Sequence, residues 1–456
     1  NRKFVQQSLS IYICSEWKIR KYMRVYFEGG VYMPLFPESA YQLELPKMHR
    51  VLQKFDTTQL KSVEETVRAE MHKKEISSLV KPEMRIAMAV GSRGIQNLAL
   101  IVKTIADELQ NMGAMPFIVP AMGSHGGGTA KGQTAVLEGY GITEEAIGIP
   151  VKSSLEVDEI GTVECESGTV QVVVDHYAAH ADLIIPIGRV KPHTDFRGPI
   201  ESGLCKMLTI GLGKFEGCTR LHHMGAIHFP TLLPAAAKLV IDKTPVGFGV
   251  AIIENSYDQT YHIEMVPADK IHDREPELLK IARSKMPKIL VKEIDALIVQ
   301  EMGKDISGAG MDPNIIGRAA RGRLKDFDGP EIQRILVKSL TKDTHGNASG
   351  IGLADYVLKP CAETIDLGAT YTNSVSCGNP EGGRIPIQVT DVKEGVLACL
   401  RSGVGVELNA PKIVYIKNTL QLGEIWVSDA LIEEVRRNPQ LILCDEEQSI
   451  EKLQMS

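Results

Sequence analysis

From about Val51 onward the chain alternates short apolar runs with amphipathic stretches, separated by glycine-bearing turns. Residues 57–71 have apolar positions at helical spacing and a charged face, whereas Arg85 to Val90 is an apolar, β-rich run. Gly91-Ser92-Arg93-Gly94 breaks that run, residues 95–112 read as an amphipathic helix, and residues 116–120 predict the next strand. Gly123-Ser124-His125-Gly126-Gly127-Gly128 follows, with Thr129 suited to cap a helix reaching Leu137. A strand, a glycine turn and a helix thus occur twice between Arg85 and Leu137. Residues 170–174, 183–187 and 246–253 predict further strands, and 273–288 is charged helical text. A fresh strand begins at 292–299. It leads into a glycine-rich loop over 303–317, a helix from Gly329 onward, and strands near Ile335 and at 413–416.

This alternation predicts an α/β protein: two α/β domains with parallel-type sheets and an active-site cleft between them. At 456 residues the chain exceeds the roughly 250–300 at which single cores stop growing. The expected layout is an extension over 1–47, partly strand or irregular, then an N-terminal α/β domain over 48–280 that holds the candidate site. A C-terminal α/β domain over 290–425 follows. Residues 426–456 are expected to supply a terminal helix, with 428–437 packing back on the first domain.

Composition removes some function classes. Acidic residues outnumber basic ones, 57 to 51, and no basic block interleaves with aromatics, which argues against a nucleic-acid partner. No apolar run approaches the ~20 residues of a membrane span. Residues 1–23 are too short and too polar in their apolar part for a signal peptide. Eight scattered cysteines without a Cys-x-x-Cys pair fit a reducing cytoplasm rather than a disulfide or zinc framework. Cys205 and Cys218 read as small buried hydrophobes.

The chemistry concentrates where polar segments follow apolar strands, the position at which open α/β sheets bind ligands. Lys191-Pro192-His193-Thr194-Asp195-Phe196-Arg197-Gly198 directly follows the 183–187 strand, and His125 lies in the glycine turn after 116–120. Neither glycine turn matches a dinucleotide or phosphate-loop motif. The Ser92–Arg93 turn therefore reads equally as an anion pocket or a structural turn. Lys206 lies between Leu204-Cys205 and Met207-Leu208, apolar surroundings in which a cation needs a partner or a covalent role. His222, His223 and His228 raise a metal question, although His-Glu-x-x-His is absent. His176 and His180 read as packing or surface residues, and His345 stays open. After the 294–299 strand, Lys304 suits a substrate carboxylate or, equally, a salt bridge to Asp305 or Glu301. Asp312-Pro313-Asn314 and Arg318 read as a turn first and a site second.

These residues resemble the nickel-dependent lactate racemase family, from about Met48 to the C-terminal segment. The Gly-Ser-His turn, the Pro-His loop and the sixteen-residue spacing from Lys206 to His222 carry the resemblance. It implies His125 and His193 as paired catalytic bases, Lys206 as a covalent cofactor tether and His222 as the nickel ligand. Ser92 and Gly94 would line the cofactor, and Arg93, Lys304 and Glu301 would meet the substrate. The implied cofactor is the nickel-pincer nucleotide, a pyridinium-3,5-bisthiocarboxylic acid mononucleotide holding nickel, and the implied partners are a 2-hydroxy acid and the cofactor-synthesis machinery. The implied activity is racemisation or epimerisation, with hydride leaving and returning to C2. Three departures separate this chain from the lactate enzymes. The His193–Lys206 stretch is about three residues longer, Val90-Gly91-Ser92-Arg93 lacks the acid of an Asp-x-Thr-Arg run, and Gln300-Glu301 replaces a Tyr-Gln pair. They point away from lactate itself. Two competing readings are a metal-assisted hydrolase or lyase with zinc on His222, His223 and His228, and a cofactor-binding protein without turnover.

Overall fold

The computed structural model describes residues 35–92, 94–319 and 329–455. Residues 1–43 cluster as one unit, in which Glu38–Gln42 forms a single tight helical turn, and residues 44–456 as another. The expectations for residues 1–34 and for Arg93 lie outside the described residues. Within the second unit, β1 (Lys47–Gln53) is the first strand among the described residues.

The N-terminal sheet is built from β2 (Arg85–Val90), β3 (Met115–Pro120), β6 (Leu183–Arg189), β7 (Phe248–Glu254) and β8 (Thr260–Pro267), in the order β3-β2-β6-β7-β8. A separate hairpin, β4 (Val157–Cys165) and β5 (Gly168–Asp175), intervenes in sequence. Strands β3, β2, β6 and β7 run parallel, and β8 closes the edge antiparallel. Alternate residues along these strands face opposite sides. Accordingly Ala87, Ala89, Ile184 and Ala251 join one apolar core, and Ile86, Met88, Ile185 and Val250 join the other. Burial on both faces explains why these strands are almost uninterruptedly apolar. The helix α1 (Leu98–Asn111) covers one face through Leu98, Ile101, Val102, Ile105 and Leu109, spaced as a helix stripe requires.

The second sheet has eight strands in the order β12-β11-β10-β9-β13-β14-β1-β15. Its members are β9 (Glu293–Met302), β10 (Glu331–Leu340), β11 (Tyr356–Leu358), β12 (Ile387–Val389), β13 (Ile413–Ile416), β14 (Glu424–Ser428) and β15 (Leu441–Ser449). The fold is thus mixed α/β with two parallel-rich sheets. No single helix among the described residues is long and apolar enough to cross a membrane.

Two expectations need correction. No helix begins at Gly329: the strand expected near Ile335 is present but longer, residues 331–340 forming β10, whose Ile335, Leu336 and Val337 are fully buried between β9 and β11. A short apolar run bounded by polar residues does not distinguish a buried strand from a helix by periodicity. The terminal segment is likewise no returning helix. A 3-10 turn over Asp429–Leu431 leads into a short helix over Ile432–Arg437, and residues 441–449 form a strand antiparallel to β1. Strand β1 is itself paired on its other side with β14, so it belongs to the eight-stranded sheet.

Candidate functional site

In each sheet the strand order reverses at one place: between β2 and β6 in the first, and between β9 and β13 in the second. The crevice outside the carboxyl ends of the strands at such a reversal is where this architecture binds ligands. Ser92 follows β2, His125 follows β3 and the Lys191–His193 loop follows β6. Three of the expected segments therefore lie at neighbouring strand ends.

Close backbone approaches join them to the segment carrying Lys206 and His222. Leu204–Lys206 begins a helical turn that passes into a π-helical turn over Met207–Gly211, followed by α2 (Lys214–His223). A Cβ on Gly91 would lie 3.1 Å from Met207 Sδ, and one on Gly188 only 2.7 Å from Met207 Cγ. Gly123 donates its N–H to the Gly211 carbonyl at 3.2 Å, and a Cβ there would meet Cys218 Sγ at 3.3 Å. Glycine at these positions lets the His125 turn rest against α2.

His222 is half-buried on α2, and its Nδ1 lies 2.7 Å from the Cys218 carbonyl one turn earlier. A carbonyl only accepts, so Nδ1 carries the proton and Nε2 keeps the lone pair that a metal would use. Burial acts to lower the pKa of His222, but hydrogen bonding and charge from Cys218 outweigh it and leave the imidazole above its ordinary value. The Lys206 charge is near enough to oppose that rise. His223, the neighbouring candidate, is exposed, and His228 lies 4.0 Å from Glu166. The three histidines of the zinc reading do not converge within one ligand sphere; among the described residues, the group of three that does lies elsewhere.

The two proposed bases are held in complementary states. His125 is exposed, with Nδ1 2.9 Å from the Met122 carbonyl, which places the proton on Nδ1 and the lone pair on Nε2. In half-buried His193, Nδ1 instead accepts the Asp195 N–H at 3.0 Å, so the neutral ring carries its proton on Nε2. The His193 ring packs on Phe196 with centroids 4.4 Å apart. Phe196 meets Phe229 at 5.5 Å, and Phe229 meets His222 at 5.1 Å. A continuous line of rings therefore connects the His193 loop to the His222 helix.

Three residues that sequence reasoning did not single out shape this region. Glu201, fully buried, accepts from the N–H groups of His193 at 2.7 Å and Gly198 at 3.2 Å, and from Arg283 at 2.8 Å. Glu275, from α3 (Ile271–Lys285), accepts the Cys205 N–H at 2.9 Å, one residue before Lys206. Burial pushes the Glu275 carboxyl up to about 7, while hydrogen bonds from the Cys205 and Leu204 backbone act to lower it. Lys214 is fully buried with φ 54°; its Nζ lies 3.0 Å from Asp175 and bonds the Pro120 carbonyl at the end of β3. Nothing in a lone Glu or Lys, whether in the charged text around Glu275 or the glycine-bearing segments around Glu201 and Lys214, marks it as buried.

The second sheet reaches the same place through the loop after β9. Asn314 donates to the His193 carbonyl at 3.2 Å and accepts from Arg197, and Asp312 lies 3.2 Å from Lys191 Nζ. Residues 312–314 thus join the site's surroundings, although they had read first as a turn. Arg318 lies outside this contact, bonding Asp355 and backbone carbonyls of β10. Lys304, just beyond β9, bonds the Gly308 carbonyl, and its own N–H donates to Thr344 at 3.0 Å. Asp305 accepts from Thr341, and Glu301 accepts from Asn418 at 3.0 Å. His345 is exposed in the turn beside Thr344. Ser92 accepts through its carbonyl from the Tyr140 hydroxyl at 2.6 Å, and Gly94 is exposed with open space around its Cα. Cys205 and Cys218 are buried, as expected for small hydrophobes, and Cys218 also faces His222.

Residues 37–231 match the family model of the lactate racemase N-terminal domain. That part of the chain is similar to the lactate racemase family's N-terminal domain. The matched span includes His125, His193, Lys206 and His222. Among solved structures, a protein from Thermotoga maritima is 11% identical with a TM-score of 0.49, over 70% of this chain and 82% of that one. The lactate racemase apoprotein from Thermoanaerobacterium thermosaccharolyticum is 14% identical with a TM-score of 0.46, over 75% and 89%. At these scores neither likeness carries an argument. No curated protein matches the chain.

Proposed function

We propose that this chain is a racemase or epimerase of a 2-hydroxy acid other than lactate, working with a Lys206-tethered nickel-pincer nucleotide. The observation that carries the reading is the meeting of the His125 turn, the Lys206 turn and the His222 helix at the strand-order reversal, inside the family-matched span.

The residues present fit that group. His222 has its Nδ1 proton committed to the Cys218 carbonyl, so Nε2 is the ligand atom, and Lys206 is near enough to act on it electrostatically. When bound, the nucleotide supplies an electron-poor ring that takes the C2 hydrogen with its electron pair, an electron sink that side chains lack. The chain's own residues handle the proton. His125, with its lone pair on Nε2, would take the hydroxyl proton of the enantiomer facing it, and His193, once protonated at Nδ1 as well and so released from the Asp195 N–H, would give its Nε2 proton back on the opposite side. In the reverse direction the protonated His125 would give its proton back and the neutral His193 would take one. Lys304 would hold the substrate carboxylate, with Arg93 assisting. Glu301, already bonded to Asn418, would accept a hydroxyl from a larger substrate and disfavour lactate.

Intact-mass and nickel analysis of chain co-produced with the cofactor-synthesis machinery tests the reading. The expected result is a nucleotide adduct on the Lys206 peptide with about one nickel per chain. An unmodified mass without nickel would overturn it.

A further inference from the structure

His176 and His180 stand one helical turn apart at the end of β5, with ring centroids 4.4 Å apart. Asp158, on the partner strand β4, reaches both. Its Oδ1 lies 3.1 Å from His176 Nδ1 and its Oδ2 lies 3.1 Å from His180 Nδ1. The donor atoms of all three residues fall within 4.8 Å of one another.

Hydrogen bonding accounts for only half of this cluster. The His176–Oδ1 contact has hydrogen-bond geometry, but His180 Nδ1 is directed at the His176 carbonyl, 3.0 Å away. Asp158 Oδ2 is thereby left buried without a hydrogen-bond donor. An anionic oxygen withdrawn from water calls for a cation. The surroundings favour one: Glu156 and Asp175 add negative potential at His176, against Arg85, which bonds the His180 carbonyl.

We infer that Asp158, His176 and His180 form a binding site for a divalent transition-metal ion. With His180 Nδ1 losing its proton and giving up the His176 carbonyl for the ion, two imidazole nitrogens and one carboxylate oxygen make the borderline donor set that selects zinc, nickel or copper over magnesium and calcium. Both rings retain solvent exposure, so water would complete the coordination. The ion would pin the β4–β5 hairpin to the turn that precedes β6. That hairpin supports the His222 helix, because Gly217 packs on Val173 and Arg220 bonds Gln171 at 3.0 Å. The site is separate from His222 and does not depend on the racemase reading.

Calorimetric titration of chelator-stripped, full-length chain with zinc chloride tests this, in a His222→Ala background so that only this site is counted. The expected result is uptake of about one zinc per chain, with affinity falling at least about tenfold, or 1.4 kcal/mol, in both Asp158→Asn and His180→Ala. His180 is exposed, so its substitution leaves the fold intact, which circular dichroism would verify. Absence of zinc uptake, or uptake unaffected by both substitutions, would overturn the inference.

Discussion

His222 and His223 are adjacent in sequence but differ in helix phase. Cys218 and His222 share one face of α2 at i, i+4, so the Cys218 carbonyl selects the His222 tautomer while His223 faces solvent. His222→Ala is therefore expected to abolish nickel retention by the loaded chain, and His223→Ala to leave it within about twofold, both read by elemental analysis. The resemblance implies a ligand within this pair through the spacing from Lys206, but no pattern of residue types reveals which ring is buried. The placement of His125 and His193 at strand ends was more legible, because a histidine among glycines or after a strand-end proline is seldom a packing residue. Their opposite tautomers were not legible, since each depends on a backbone group that only the folded turn presents. His125→Ala and His193→Ala are each expected to lower kcat by about 10²–10⁴-fold, measured by chiral analysis of the product. Loss below about tenfold in either would remove that residue from proton transfer.

At the scale of elements, the turn bearing Lys206 rests on a buried acid. The Glu275 value of about 7 in the folded chain lies above its ordinary 4.5. The folded chain thus holds a proton that the unfolded chain releases between those values, and stability falls as the pH rises through that window. At about 1.4 kcal/mol per unit, the loss is on the order of 3 kcal/mol. Glu275→Gln is expected to flatten that part of the profile, measured by urea unfolding between pH 5 and 8; an unchanged slope would contradict the assignment. The Lys214–Asp175 pair makes the opposite case, a buried ion pair linking the start of α2 to β5 and to the end of β3. Lys214→Met leaves Asp175 buried without its cation and is expected to cost about 3–5 kcal/mol by the same measurement. The parallel strands were legible because burial on both faces makes them apolar throughout. The strand expected near Ile335 is the centre of β10, but its first residues had read as a helix, since the fully buried centre is only three residues long and polar side chains flank it.

Across the whole molecule, the chain's early strand β1 lies between β14 and β15, so the C-terminal sheet is completed by residues from far upstream. Sequence order assigns β1 to the first domain; only hydrogen-bond pairing, which no local pattern encodes, assigns it to the second sheet. The two sheets also communicate at the site, where Asn314 holds the His193 carbonyl. Asn314→Ala is expected to lower kcat with little change in binding of the nucleotide, since it loosens the loop that places His193; unchanged kcat would show that the loop is positioned by Glu201 alone. The central claim, hydroxy-acid inversion by return of the same hydrogen, is tested most directly by a turnover experiment in D2O. Loaded chain is incubated with single-enantiomer 2-hydroxy acids, and the products are resolved by chirality and mass. Inversion with the C2 hydrogen retained is the predicted result, whereas inversion with deuterium incorporated at C2, or no inversion of any acid, would contradict it.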